Sequence, residues 1–366
     1  MLRKYTFFEN ALKKREEQRL FQQERCVSLE EPRVGIDFTS DDYLGLLSHS
    51  YVKKQTIKNV LKWGIGSTPS HMLSEQSTVR TSLEKRLATL TGREAALLFS
   101  SPMNAFHTLM TAIVRKDTLV FIDRFSHPFL SQSIKGKLLK YEHNDIKGLQ
   151  ALLEKNKEAP SKIILTESVF AFEGDLFHLR PLVELANEFD ALLIVDETHA
   201  IGPCGKGGMG ITAHRKGIDC AIGSFGKGFG SFLSCSHLIK DYLLNFSLNP
   251  SEALPPAMLG AIEGILDLLP DMEAERKKLK QKGIDLRATL QSLGFQTSLS
   301  STHIIPLMLG TDEEVDRAVD FLASHQIFTT PLKPPQVPIG KARLRLVLSL
   351  AHTDEQIHKL ITLLNK

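Results

Sequence analysis

The hydrophobic positions between about residues 82 and 255 fall into short apolar runs separated by amphipathic segments of helix length. Runs with the length and composition of strands occur at 95–100, 118–123, 163–166, 191–195 and 221–224. Apolar residues at helical spacing occur between most of them, at 108–114, 146–154 and 181–188. Buried strands that alternate with helices predict an α/β fold with a mainly parallel sheet between helices.

The flanking regions have other patterns. Residues 9–23 are charged and helical in spacing, and 37–46 indicate a strand that runs into a turn. A long helical stretch begins at Pro255-Pro256 and reaches about Leu293. Beyond it, the pattern predicts strands at 304–309 and 342–348, a helix at 313–324 and a last helix from Asp354. We therefore predict an N-terminal helical segment and strand (1–45), a large domain (46–255) and a smaller α/β C-terminal domain (256–366).

The composition is that of an ordinary soluble protein. Of the 366 residues, 42% are hydrophobic and 24% are charged, which excludes a disordered chain and a coiled-coil rod. The 45 basic and 42 acidic residues give a net charge of +3, too small a field to indicate nucleic-acid binding. No apolar run approaches the roughly 18 residues of a membrane span, and no signal peptide is apparent. The four cysteines are far apart in the sequence and form no CxxC pair, so neither a disulfide framework nor a zinc site is indicated. We expect a cytoplasmic enzyme without nucleic-acid or membrane partners.

Polar residues follow four of the predicted strands, at 123–127, 166–167, 196–199 and 224–227. Ligands of such sheets bind beyond the carboxyl ends of the strands. Lys227 lies there between glycines, and Gly228 after it excludes a phosphate loop of the Walker type, which requires Ser or Thr. Two readings of Lys227 remain open at this point: a lysine that forms a Schiff base, or a surface charge on a flexible turn.

Asp196 directly follows a run that predicts a buried strand. Burying a carboxylate is costly unless a positive group meets it. A protonated pyridine nitrogen would be such a group, and the pairing would keep the ring cationic and electron-withdrawing. His199 lies close enough in sequence to bond a ring oxygen. The alternatives are a capped helix start with a structural histidine, or a metal pair, for which no third ligand at metal spacing is present. Together with Lys227, these two residues indicate pyridoxal 5′-phosphate (PLP).

Eight stretches between residues 37 and 360 then occur in the order and near the spacing of one known family. The chain resembles the α-oxoamine synthases, which are PLP-dependent enzymes of fold type I. The stretches that carry this resemblance are FTSDDYLGL (38–46), DRFSH (123–127), TESVF (166–170), VDETH (195–199), the loop around Lys227, LPP (254–256), PPQVP (334–338) and ARLRL (342–346).

The resemblance implies a role for each candidate residue around the cofactor ring. Lys227 would bind PLP covalently and act in catalysis, Asp196 would pair with the ring nitrogen and His199 with the phenolic oxygen. His127 would stack on the ring, although a lone histidine is more often structural. Ser224 stands where the family has a small hydroxyl residue near the cofactor.

The resemblance also implies the reaction. An amino acid, alanine, would condense with an acyl thioester, pimeloyl-CoA or a pimeloyl carrier protein, and lose carbon dioxide to give 8-amino-7-oxononanoate for biotin biosynthesis. Arg345 would receive a substrate carboxylate, for which its planar fork is suited; a surface ion pair is the alternative. The family forms homodimers. Two other hypotheses are a related synthase with a different acyl donor or amino acid, and a non-catalytic homologue with weakened phosphate binding.

The chain departs from the family where phosphate and substrate are bound. Pro102 and Met103 replace a Gly-aromatic pair whose N–H groups hold the phosphate, and proline has no N–H. Ala171 replaces a serine near the cofactor. Glu252 replaces a threonine that reaches the phosphate in the partner subunit, and a carboxylate there would repel it. The segment 68–75 lacks the usual glycines, and Asp41 replaces an asparagine.

Overall fold

The computed structural model describes residues 5–17, 35–66, 77–132, 134–226, 229–247 and 253–365. The chain divides into two compact units. Unit 1 comprises Met1–Thr39 and Leu307–Leu346, and unit 2 comprises Ser40–Pro306 and Val347–Lys366. The division at 1–45, 46–255 and 256–366 expected from the sequence cuts the chain at other places and stays a prediction.

Unit 2 contains a seven-stranded sheet in the order β2-β8-β7-β6-β5-β3-β4. The run from β7 to β4 is parallel, whereas β8 is antiparallel to both of its neighbours, β2 and β7. The strands are β2 (Ala95–Phe99), β3 (Thr118–Asp123), β4 (Lys137–Tyr141), β5 (Ser161–Glu167), β6 (Leu192–Asp196), β7 (Cys220–Ser224) and β8 (Ser231–Cys235).

Helices cover both faces of this sheet. Because side chains alternate along a strand, Ile163 and Leu165 of β5 pack on one face with Leu109, while Ile164 packs on the other with Leu182. Leu109 lies on the helix Pro102–Ile113, and Leu182 lies on the helix Leu179–Glu188. The helices of this region are α2 (Ser50–Trp63), α3 (Ser77–Thr91), α4 (Pro102–Ile113), α5 (Pro128–Gln132), α6 (Ile146–Lys155), α7 (Leu179–Glu188) and α8 (His237–Phe246).

The five predicted strands match β2, β3, β5, β6 and β7, and the three predicted helices match α4, α6 and α7, with the start of α4 predicted six residues late. The sequence analysis missed β4 and β8. The long helical stretch expected from Pro256 to Leu293 is wrong in one respect, because it is two helices, α9 (Pro256–Leu268) and α10 (Glu273–Ser292). A 3₁₀ turn at Leu269–Asp271 separates them, and Pro270 in that turn has no N–H to continue a helix.

Unit 1 contains two small sheets. The short strand β1 (Ile36–Asp37) pairs in parallel with a strand near residue 327. The strand expected to run into a turn over 37–46 is shorter than expected, since it ends at Asp37, and a turn follows at 43–44. In the three-stranded sheet the order is β11-β12-β9. The remaining elements of the chain are α1 (Thr6–Glu17), β9 (Ile304–Gly310), α11 (Asp312–Ser324), β10 (Ile327–Phe328), β11 (Thr330–Leu332), β12 (Ala342–Val347) and, in unit 2, α12 (Asp354–Leu364). Within the described ranges, no helix is both long and apolar enough to cross a bilayer.

Candidate active site

Four neighbouring strands of the large sheet end in polar residues at the same edge. β3 ends at Asp123, β5 at Glu167, β6 at Asp196 and β7 at Ser224. All four are buried, with exposed fractions of 2 to 5%. Glu167 and Asp196 are direct neighbours in the register of β5 and β6. The expected gathering of polar groups at the carboxyl edge is therefore present, and three of its four members are carboxyl groups.

Asp196 is a buried carboxyl group at the end of β6. Its Oδ1 accepts the N–H of Thr198 at 2.8 Å. Burial raises the pKa of Asp196 to about 6, because hydrogen bonds from Thr198 oppose the effect only in part and the charge of Glu197 adds to it. Among the described residues, no cation is a main influence on this carboxyl group. A protonated pyridine ring would supply a positive charge there, so the chemistry of this group fits PLP.

His199 lies in the turn that follows β6, with its ring half-buried. Its Nδ1 is 2.6 Å from the hydroxyl of Tyr43. Tyr43 is itself buried, and its ring packs against His303 with centroids 4.1 Å apart. A histidine with one ring nitrogen held in this way has a fixed orientation, and its other nitrogen can serve a ligand. The sequence analysis included Tyr43 in a motif but assigned it no role.

His127 lies in the segment between β3 and α5. Its ring is 5.0 Å from each of the rings of Phe129 and Phe172, centroid to centroid. Its backbone N–H donates to Oε1 of Glu167, at the end of β5. An imidazole between two aromatic rings, with its backbone tied to the strand edge, is suited to pack on a flat ligand. The stacking role stays a prediction.

Glu167 is the principal site residue that the sequence analysis missed. Its polar position at a strand end was apparent, but its contact with His127 comes from a segment 40 residues earlier in the chain. Besides the His127 N–H, it accepts the N–H of Ala171 at 2.9 Å. Burial and the charge of Asp196 raise the pKa of Glu167 to about 8, against the effect of these two hydrogen bonds.

A second cluster, formed by His143, Asp123 and Asp175, lies next to the same edge of the sheet. His143 donates from its two ring nitrogens to Asp123 and Asp175, each at 2.9 Å. Although burial opposes a charge there, the two carboxylates raise the pKa of His143 to about 10, so the ring is an imidazolium at neutral pH. Phe125 stacks on it at 4.7 Å. The cluster therefore fixes the segment that leads to His127, and no motif in the sequence indicated it.

Glu197, next to Asp196, has a different task. Its carboxylate accepts the hydroxyl of Ser168 at 2.5 Å and the N–H groups of Ile211 and Thr212 at 3.0 and 2.5 Å. Burial nevertheless raises its pKa. These contacts hold the loop after β6 in place, so Glu197 is occupied within the protein.

Ser224 shapes the turn that carries the predicted lysine. Its Oγ accepts the N–H of Gly226 at 3.3 Å, and Phe225 N–H donates to Gly230 O at 3.1 Å across the β7–β8 turn. Lys227 itself lies outside the described residues, as do Glu252 and the 68–75 segment.

Two departures from the family can be located. Pro102 is the first residue of α4, where its missing N–H removes one of the free donors of a helix N-terminus. Ser101 Oγ already accepts the N–H of Asn104 at 3.1 Å. Met103 is 59% exposed, and Ala171 is buried beside Glu167. The first turn of α4 therefore has fewer amide donors to offer than a Gly-aromatic pair would have.

Arg345 lies on β12 in unit 1, opposite Thr330 of β11, and is buried. The structure brings Asp123, His127, Glu167, Asp196, His199 and Ser224 to one edge of the large sheet in unit 2. The role predicted for Arg345 stays a prediction.

Comparisons with known proteins agree with this picture. The family described as aminotransferase class I and II matches residues 33–364. The chain is 35% identical over 335 residues to a putative 8-amino-7-oxononanoate synthase of Desulfosudis oleivorans, covering 89% of this chain and 87% of that protein. It is also 35% identical over 345 residues to 8-amino-7-oxononanoate synthase of Gluconacetobacter diazotrophicus, covering 90% and 87%.

Solved structures have the same fold. The 8-amino-7-oxononanoate synthase of Francisella tularensis superimposes with a TM-score of 0.79 at 26% identity, over 91% of this chain and 98% of that one. Serine palmitoyltransferase of Sphingomonas wittichii reaches a TM-score of 0.88 at 20% identity, over 99% and 97%, which concerns the fold alone. These matches confirm the predicted fold class, the PLP-dependent transferase fold type I.

Proposed function

Since the chain belongs to the aminotransferase class I and II family, and within it to the α-oxoamine synthases, we propose that it joins L-alanine to a pimeloyl thioester to give 8-amino-7-oxononanoate. It is a PLP-dependent acyltransferase. Biotin biosynthesis is the pathway that this product serves. The observation that carries the proposal is the buried Asp196 carboxyl, on which no cation of the described residues is a main influence, three residues before His199 in the chain.

The cofactor is PLP, which solved relatives of this fold contain. Bound PLP supplies an electron sink that makes the α-carbon of an amino acid acidic. The residues of this chain have the complementary tasks. Asp196 would hold the protonated ring nitrogen, His199, whose ring is bound by Tyr43, would donate to the phenolic oxygen, and His127 would cover one ring face.

Lys227 would hold the cofactor through Nζ and would take the proton from the α-carbon of alanine, since an amine of lowered pKa can act as a general base. Arg345 is proposed to bind a substrate carboxylate as a bidentate pair. The α-carbon bonds to the acyl carbonyl carbon, the thiol leaves, and the alanine carboxylate leaves as carbon dioxide. A proton returned to the α-carbon completes an α-amino ketone.

A different acyl donor is the second candidate, and Ala171 favours it. This residue is buried in the turn after β5, where the resemblance expects a serine. Its backbone N–H is bound by Glu167, so the turn keeps its place while the hydroxyl is lost. Loss of that hydroxyl removes a hydrogen-bonding group near the cofactor, which favours a substrate that makes different contacts there.

The test is product formation by purified protein loaded with PLP and given L-alanine with pimeloyl-CoA or pimeloyl carrier protein. We expect free thiol and carbon dioxide in equal amounts, and 8-amino-7-oxononanoate by mass spectrometry. Lys227→Ala should abolish all three, whereas Lys216→Ala, at an exposed lysine of the same unit, should leave them unchanged. Turnover with other acyl thioesters but not pimeloyl would support the second candidate. No product with any thioester would contradict both.

A further inference from the structure

Glu167 ties together two chain segments that flank the candidate ring site. One oxygen accepts the N–H of His127, from the segment after β3, and the other accepts the N–H of Ala171, from the turn after β5. The residue is 2% exposed, so water cannot replace either bond at low cost. A carboxylate that accepts two backbone N–H groups from different segments determines how far apart those segments lie.

The charges that face Glu167 come from two neighbouring strands. Asp196 of β6 lies opposite it in the sheet register, and Asp123 of β3 also acts on it electrostatically. Asp123 shares the imidazolium of His143 with Asp175, which compensates its charge in part. Among the described residues, no cation is a main influence on Asp196, so its charge is the one that Glu167 faces most directly.

We propose that Glu167 is a positioning residue of the ring site, which holds the His127 segment and ionises when a cationic ring binds beside Asp196. The inference rests on the proposed function, because it requires a cofactor ring at Asp196. It assigns a role to a group that the catalytic steps themselves do not use.

The physical reason is that the charge of one buried carboxylate raises the pKa of a second one beside it, unless a positive charge is bound nearby. Without a ligand, Glu167 keeps its proton up to a pH of about 8, while Asp196 ionises near 6. A ring cation lowers the pKa of Glu167, so the group gives its proton to water on binding at pH below 8. Because binding then releases a proton, the affinity gained through Glu167 increases as the pH rises toward 8.

Pyridoxamine 5′-phosphate is the probe of choice, because it carries the same ring and phosphate but no aldehyde, which removes the titration of the lysine amine from the measurement. Its dissociation constant is measured by fluorescence titration at pH 5.5, 7 and 8.5 for the wild type and Glu167→Gln. The glutamine mimics the protonated acid but cannot ionise. The titrations of pyridoxamine 5′-phosphate itself are the same in both experiments. The ratio of the dissociation constants of Glu167→Gln and wild type therefore reports the effect of Glu167 alone.

We expect the wild type to bind less than threefold better than Glu167→Gln at pH 5.5 and roughly tenfold or more better at pH 8.5, since one pKa unit corresponds to a factor of ten. Glu173→Gln is the matched control. Glu173 is a buried carboxyl of the same segment, bound to Ser298 at 2.7 Å, and it is not among the main influences on Glu167 or Asp196. Melting curves at each pH verify that both variants are folded.

A ratio that stays constant with pH would contradict the inference, because a purely structural loss weakens binding equally at every pH. The inference would also be contradicted if the ratio of dissociation constants between Glu173→Gln and wild type rose with pH by the same factor. If the wild type binds neither pyridoxamine 5′-phosphate nor PLP at any pH, the proposed function itself fails, and that outcome differs from the other two.

Discussion

The hydroxyl of Tyr43 lies 2.6 Å from Nδ1 of His199, although 156 residues separate the two in the chain. Tyr43 comes from the turn that follows β1, and this turn is fixed by the Asp42 side chain, which accepts the N–H groups of Leu46 and Leu47. The histidine next to the ring site is thus oriented by a segment far from the sheet in sequence.

Replacing Tyr43 by phenylalanine should weaken the hold on the cofactor while leaving the fold intact. The loss of one hydrogen bond predicts a cost of about 1 kcal/mol in the free energy of unfolding, and a roughly tenfold decrease in kcat because His199 loses its fixed orientation. Tyr242→Phe, at an exposed tyrosine of α8, is the control. Equal kcat values for Tyr43→Phe and the wild type would contradict a positioning role for Tyr43.

His143 should be essential for stability. Glutamine in its place leaves Asp123 and Asp175 buried without a cation, and breaking such a buried charge cluster predicts a loss of about 3 kcal/mol. Urea unfolding of the cofactor-free protein measures the change, and His358→Gln, at an exposed histidine of α12, is the control. A loss below about 1 kcal/mol would mean that the two carboxyl groups find other partners or protonate without cost.

The same cluster predicts a pH dependence with a definite sign. Because the folded protein raises the pKa of His143 from 6.5 to about 10, its stabilising effect is complete below pH 6.5 and disappears as the pH rises toward 10. The difference in free energy of unfolding between wild type and His143→Gln should therefore shrink between pH 7 and pH 10. Urea titrations across this range provide the measurement. A difference that grows with pH would show that the imidazole is neutral in the folded protein.

Gly210→Ala should be strongly destabilising. Gly210 has a φ of +89°, and an added Cβ would lie 2.7 Å from the carboxyl carbon of Glu197. Gly294→Ala is a matched control, since Gly294 has a φ of +88° but open space around it, and measures backbone strain alone. We expect Gly294→Ala to cost about 1 kcal/mol and Gly210→Ala at least about 2 kcal/mol more, by thermal or urea unfolding. Similar costs would mean that the Glu197 loop yields without loss.

The strands that the sequence predicted are those buried on both faces. β3, β5 and β6 are nearly continuous apolar runs, which hydrophobicity alone detects. The two missed strands lack that property. β4 is an edge strand with exposed lysines at 137 and 140, and β8 has buried serines at 231 and 234, which interrupt its apolar run. Pro270, which divides the long helical stretch, is the residue in the sequence that indicates this break.

The site was predictable where its parts are close in sequence. Asp196 and His199 follow one strand, so their proximity could be inferred from spacing. Glu167 could not be understood in this way, because its partners are a backbone N–H forty residues earlier and a carboxyl on the next strand. Backbone donors have no signature in the side-chain pattern. Such relationships appear only once the register of the sheet is known.

The central claim is that PLP is bound to Lys227 while Asp196 keeps its ring cationic. Borohydride reduction of the PLP-loaded protein, followed by protease digestion and mass spectrometry, tests it most directly. We predict one pyridoxyl group per chain, on the peptide that contains Lys227. In Asp196→Asn, the yield of this labelled peptide should be much lower. A label on other lysines, or no label at all, would contradict the account.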